Sequence, residues 1–251
     1  MLAIIGGRGL TQLANLEITH RQVMRTPYGE PSCAFMFGTL NQHEVIFLAR
    51  HGYGHTIPPH LVNYRANLWA LREQGVTETV SVATVGCIRA DLSPGMIVVP
   101  DQIMDYTHGR DATFFDARDA NYNNIDFTKP YCPALRRRIL HSARLAQQDC
   151  LDGGVYAATQ GPRLDSAAEI NRYERDGADM VGMTGMPETA LAMELGIDYA
   201  AIAVVSNYAA GRGDSKHGIN MEQVNAAASG AMVRVRSILE SVVNCSDENG
   251  N

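Results

Sequence analysis

Short β-branched runs that stop at a glycine or a polar residue recur along the chain, and stretches of helical spacing separate them. This feature constrains the fold most. Residues 3–5 lead into Gly6-Gly7, 45–49 into Arg50-His51-Gly52, and 79–85 into Gly86. Residues 96–99 stop at Pro100, 154–159 at Gly161-Pro162, 180–182 at Met183-Thr184, and 199–205 at Ser206-Asn207. Each run is short enough for a strand and too short for a helix. Helical spacing covers 61–74, with Leu61, Leu68 and Leu71 on one stripe, and 133–148, with Leu135, Ile139, Ala143 and Ala146. It also covers 166–176, 187–195 and 222–243. Strands alternating with helices predict an α/β fold: one mixed β-sheet flanked by helices, in a single domain spanning 1–244. The polar segment 245–251, ending Asn-Gly-Asn, reads as a disordered tail.

The composition supports a globular reading. Of 251 residues, 45% are hydrophobic, enough for one substantial core. The net charge of -6 argues against nucleic acid as the main partner, because a phosphate backbone needs clustered Lys and Arg. No uncharged apolar run reaches about 18 residues, so no membrane span is expected. The start reads as a buried strand entering a glycine turn, not as a signal peptide. The cysteines Cys33, Cys87, Cys132, Cys150 and Cys245 are scattered, without a C-x-x-C pair. They suggest reduced thiols in the cytoplasm and neither a disulfide framework nor a zinc site.

In open α/β sheets, ligands bind beyond the carboxyl ends of strands. That rule picks out Arg8, Arg50, His51, Thr84, Met183, Thr184 and Asn207. Gly6-Gly7-Arg8-Gly9 can bring main-chain N–H groups to an anion, or can be a tight turn and nothing more. It is neither a P-loop nor a G-x-G-x-x-G fingerprint. Arg50 suits bidentate phosphate binding, and His51 can donate to a phosphate or a ribose hydroxyl. His51, His55 and His60 raise a metal reading, but the segment is broken by proline and holds no carboxylate, so no metal is expected. Asn63, Arg65 and Asn67 read as a solvated helix face. Thr184, at the start of a helix, can offer its hydroxyl and amide to an anion. Met183 can lie against a sugar, and Glu188 reads as a first-turn acid that complements the helix dipole. The Asn207 amide offers both a donor and an acceptor, which suits the O6 and N1–H of a 6-oxopurine.

Together these segments resemble the trimeric nucleoside phosphorylases, in the branch that holds methylthioadenosine and methylthioinosine phosphorylases. The resemblance runs from Ile4 to about Val243. It rests on Ile4-Ile5-Gly6-Gly7-x-Gly9-Leu10, Arg50-His51-Gly52, Val62-Asn63-Tyr64-x-Ala66-Asn67, Gly161-Pro162-Arg163 and Met183-Thr184-x-x-Pro187-Glu188. It implies a pentosyltransferase that uses inorganic phosphate as co-substrate and needs no cofactor, assembled as a homotrimer. The implied reaction is phosphorolysis of S-methyl-5'-thioinosine. A general inosine and guanosine phosphorylase is the near alternative, and a nucleoside-binding relative with weakened catalysis is the distant one. By position, phosphate would meet Arg8, Arg50, His51, the Thr84 backbone and Thr184. Met183 would touch the ribose and Leu164 the purine. His55, Met221 and Val224 would form the 5' pocket. Asn207, with His51 the residue implied in catalysis, would stabilise charge on the departing base. Methylthioadenosine phosphorylases carry an Asp at the position of Asn207 and another two residues on, where this chain has Ala209, so a 6-oxopurine is favoured. Arg8, Ala83, Asp165 and Asn124 depart from the family pattern, and Asp165 is expected near the phosphate.

Overall fold

A computed structural model describes all residues except 11–12, 116–121, 123 and 246–251. The tail assigned from sequence therefore lies outside the described residues, apart from Cys245, a buried cap on the last helix.

Among the described residues, one sheet of eleven strands forms the framework. The strands are β1 (Leu2–Gly6), β2 (Glu17–Gln22), β3 (Phe35–Leu40), β4 (His43–Ala49), β5 (Glu78–Cys87), β6 (Ile97–Val99), β7 (Gln102–Asp105), β8 (Leu151–Asp152), β9 (Val155–Ala158), β10 (Met180–Gly182) and β11 (Asp198–Tyr208). The helices are α1 (Tyr64–Glu73), α2 (Pro133–Leu145), α3 (Ala167–Asp176), α4 (Glu188–Glu194) and α5 (Met221–Asn244). All seven strands and five helices read from the sequence are present. The sequence reading missed β2, β3, β7 and β8. β2 is exposed almost throughout and carries no buried alternation to detect. β3 contains Gly38, and a Cβ there would collide with the main chain of β2. β7 and β8 are only four and two residues long.

Local chemistry sets the helix ends. Asn63 accepts from the Ala66 N–H at the start of α1. Ser166 and Glu169 form a reciprocal capping box on α3, which stops at Gly177 with φ 99. Asn220 accepts from the N–H groups of Glu222 and Gln223 to open α5. Asn67, read from sequence as solvated, is buried: its amide accepts from the Ser32 N–H (2.8 Å) and donates to the Ser32 hydroxyl (2.9 Å).

The strand pairing creates an opening. β5 runs parallel to β11 along its whole length. On its other edge, β1 pairs only as far as Ser81, and β10 joins, antiparallel, only at Gly86 and Cys87. Residues 82–85 therefore lack a strand partner on that edge. The carboxyl ends of β1 and β4, which run parallel to each other and to β5, point into this gap. Large apolar clusters pack on both faces of the sheet, so the opening sits in a stiff frame.

Candidate active site

A cavity of about 600 Å³ occupies the gap, within the range of small-molecule sites. Its lining includes every residue picked out from the sequence: Arg8, Arg50, His51, His55, Thr84, Leu164, Met183, Thr184, Asn207, Ala209, Met221 and Val224. Ala83 and Asp165 line it too, whereas Asn124 is an exposed residue outside the lining. Segments far apart in the chain meet here because β1, β4, β5, β10 and β11 deliver them to one place.

Arg50 is wholly buried, and most of its donors are committed. Its Nε donates to Glu188 Oε2 at 2.6 Å and its Nη2 to Glu188 Oε1 at 2.7 Å. Nη2 also donates to the Ser81 hydroxyl, and Nη1 to the Val82 carbonyl at 3.1 Å. This carbonyl is the first one left open by the gap in β5. Glu188 Oε1 accepts further bonds from Ser81 (2.9 Å) and Tyr199 (2.7 Å). The paired Arg50 holds the Glu188 carboxyl below its usual range against the opposing effect of burial. One sequence expectation is extended here and one changes. Glu188 does open the first turn of α4, and it is also the buried counter-ion of Arg50. The bidentate fork of Arg50 is used on Glu188, so only the remaining Nη1 hydrogen can reach a ligand.

His51 donates from Nδ1 to the Ile57 carbonyl at 2.8 Å, which fixes its tautomer. Burial, and then the neighbouring Arg50 cation, push its pKa down to about 4. The ring is thus neutral at pH 7 and presents an Nε2 lone pair. That leaves Nε2 to accept from a ligand, whereas the sequence reading gave the ring a donor role. His55 stands with its ring 4.5 Å from that of His51, and burial and Arg8 also depress its pKa. Arg8 is exposed at the mouth and reaches only Asn225, at 3.5 Å. Thr184 lies upstream of α4, whose cap is Pro187, so it is not at the helix terminus as expected. Its N–H donates to the Tyr156 hydroxyl at 3.4 Å, and its side chain also hydrogen-bonds Tyr156. Among the described residues, no group of three His, Cys, Asp or Glu side chains could hold a metal ion.

The His51 shift has a stability consequence. Its folded pKa lies below the unfolded value of about 6.5, so the unfolded chain takes up the proton first as pH falls. Stability contributed by the neutral ring is complete above about pH 6.5 and is lost as pH falls towards about 4. We expect the wild type to lose on the order of 2–3 kcal/mol more than His51→Gln between pH 7 and pH 4.5 in urea melts. Parallel losses in the two proteins would show that His51 titrates normally.

At the other end, β11 carries a bulge: Val205 pairs with Val85, and Asn207 with Gly86, leaving Ser206 extra. The Asn207 carbonyl oxygen accepts from Ser206 Oγ at 2.9 Å, and its NH2 donates to the Tyr208 carbonyl at 2.7 Å. One N–H and one oxygen lone pair remain for a ligand. Ala209 is buried in a cluster with Ile170, Tyr173 and Val181. Asp165 accepts from Tyr173 and from Thr159, each at 3.3 Å. Tyr173 packs in the cluster that holds Ala209, whereas Thr159 also bonds to the Gly182 carbonyl, just before Met183. Burial raises its pKa, and Arg163, which might have neutralised it, pairs with Glu169 instead (2.7 and 2.8 Å). Leu164 and Met221 remain 48% and 43% exposed, which leaves apolar surface at the rim.

One cavity thus gathers Arg8, Arg50, Thr84, Thr184 and the Asn207 amide. Residues 2–244 match the phosphorylase superfamily. The chain belongs to this superfamily. Two superfamily members similar to it are described as probable S-methyl-5'-thioinosine phosphorylases. The one from Pseudomonas syringae pv. tomato is 48% identical over 97% of this chain and 98% of its own length. The one from Xanthomonas campestris pv. campestris is 47% identical over 91% and 93%. Among solved members, the methylthioadenosine phosphorylase of Schistosoma mansoni in complex with adenine superposes with a TM-score of 0.92. It is 30% identical, over 97% of this chain and 90% of that one.

Proposed function

We propose that the chain catalyses phosphorolysis of S-methyl-5'-thioinosine to hypoxanthine and 5-methylthioribose 1-phosphate. The carrying observation is the Asn207–Ala209 end of the cavity, where an amide and a methyl stand in place of two carboxylates facing the base. Asn207 donates its free N–H to O6, and its free oxygen lone pair accepts from N7–H once the departing purine anion has taken a proton from solvent. Asp165, ionised, accepts from N1–H. A 6-aminopurine has no N1–H, so it forms no bond to this carboxylate, which then keeps only Tyr173 and Thr159 and faces a lone pair on N1. Leu164 lies against the base.

Phosphate is held by Arg8, the free Nη1 hydrogen of Arg50, the Thr84 main chain and the Thr184 hydroxyl. Its oxygen forms a bond to C1' as the C1'–N9 bond breaks, and that electron pair leaves with the purine. The transition state carries positive charge on the sugar and negative charge on the base, so positioning and fixed dipoles supply the rate. Met183 packs on the ribose, and His51 Nε2 accepts a hydroxyl hydrogen from the ribose or from protonated phosphate. His55, Met221 and Val224 take the methylthio group. The reaction needs no metal or cofactor. The enzyme acts in the cytoplasm as a homotrimer, which covers the apolar rim. Among the described residues, no helix is long and apolar enough to cross a membrane.

The exposure of Met221 favours a second reading, a general inosine and guanosine phosphorylase, because an open 5' wall discriminates weakly. One assay separates the outcomes. Each nucleoside is incubated with phosphate, and free base is measured. We expect kcat/KM for methylthioinosine to exceed that for methylthioadenosine by at least about 10²-fold. Arsenate should replace phosphate. A preference for methylthioadenosine would overturn the assignment, and base release without either anion would make the enzyme a hydrolase. Equal use of inosine and methylthioinosine would establish the broader phosphorylase.

A further inference from the structure

Arg110 lies outside the cavity lining and follows β7 in a run, Thr107 to Asp111, that carries no motif. Yet its guanidinium has a partner for every donor nitrogen. Nη2 donates to the carbonyls of Gln160 (2.8 Å) and Thr159 (3.2 Å). Nη1 donates to those of Met183 (2.9 Å) and Met186 (2.5 Å), with the Tyr64 hydroxyl at 3.3 Å. Nε donates to Gln160 Oε1 at 3.1 Å, an atom that also accepts from the His108 N–H. The Tyr64 ring lies 5.5 Å from the guanidinium carbon. Among the described residues no carboxylate forms an ion pair with Arg110.

The two sets of carbonyls belong to different loops. Residues 159–165 leave β9 and carry Leu164 and Asp165. Residues 183–187 leave β10 and carry Met183 and Thr184. β9 and β10 are parallel neighbours, and the Thr159 N–H to Gly182 carbonyl bond (2.8 Å) is the last main-chain link between them. Beyond it the loops touch at Gly161, where a Cβ would lie 2.5 Å from Met183 Sδ. Each Nη group of one rigid fork serves one loop.

We propose that Arg110 is a positioning residue that sets the spacing between the purine-facing and ribose-facing loops. Its effect on catalysis rests on the function proposed above, whereas the bridging itself does not. A lysine would supply charge but only a single point of attachment, so it could not hold both loops in register. A misplacement of about 1 Å between reacting groups costs roughly 10²-fold in rate.

The experiment uses the full-length protein with Arg110→Lys and Arg110→Ala. In Arg110→Lys, amide hydrogen exchange should quicken about tenfold or more in 159–165 and 183–187 together, with the β5–β11 core unchanged. Its kcat/KM for methylthioinosine should fall about 10²-fold, mainly in kcat. Millimolar guanidinium should restore several-fold activity to Arg110→Ala and none to Arg110→Lys, whose ammonium occupies the place. Faster exchange in only one loop, or equally throughout the chain, overturns the proposal. So does Arg110→Lys activity within twofold of wild type, or failure of guanidinium to restore a folded Arg110→Ala. If wild type releases no hypoxanthine, the proposed reaction fails, and the exchange pattern still decides the role of Arg110.

Discussion

Asn207→Leu should lower kcat/KM for methylthioinosine by about 10²–10³-fold, the usual cost of removing one donor to developing charge. The loss should fall on kcat, because the bond strengthens as the base gathers electrons. Leucine keeps the volume, and Asn207 is only half-buried, so the melting temperature should move little. The double variant Asn207→Asp/Ala209→Asp should reverse the preference between methylthioinosine and methylthioadenosine. It restores the carboxylate pair that, by resemblance, receives a 6-amino group. If Asn207→Leu retains wild-type kcat, the base leaves without help from this amide and the reading of that end of the cavity falls.

Glu188→Leu should destabilise the fold by about 3–5 kcal/mol in urea unfolding, the cost of breaking a buried ion pair from one side. The variant strands Arg50, which is wholly buried, and frees the Ser81 and Tyr199 hydroxyls that now donate to Glu188. Removing both charges, in Arg50→Met/Glu188→Leu, should recover most of that loss, since apolar pairs of similar volume often replace buried ion pairs without penalty. Phosphorolysis should stay absent from the double variant, which separates the architectural use of the pair from its use in holding phosphate. A loss below about 1 kcal/mol in Glu188→Leu would show that Arg50 has another source of neutralisation.

The legible parts of the fold were those whose residues have one job. β1, β5 and β11 are buried almost throughout, and their apolar or β-branched runs announce them, although Thr79, Ser81 and Thr84 interrupt that of β5. The ends of those strands placed the cavity residues correctly as a group. What each residue does inside the group was less visible. Glu188 and Arg50 lie 138 positions apart, and nothing local to either reveals the other. The acceptor face of His51 depends on a bond to the Ile57 carbonyl, which a side-chain list does not contain. Asp165 looked like a hazard to phosphate unless Arg163 or Arg8 compensated it. Glu169, the capping-box acid of α3, takes Arg163, and Asp165 is held by Tyr173 and Thr159 instead. Arg110 gave no signal because most of its partners are main-chain carbonyls, which carry no residue identity.

The extra residue at Ser206 means that Asn207, the proposed base reader, is aimed by a miscount in the ladder. Facing along a strand alternates, so deleting Ser206 would restore regular pairing with β5 and turn everything after it over. Exchanging side chains at 207 and 209 can therefore retune which purine is taken while the frame stays still. Shortening the strand by one position would point both side chains into the packed interior and abolish recognition altogether. Among descendants of such a chain, substrate preference is free to drift by substitution, whereas strand length here is not free to vary.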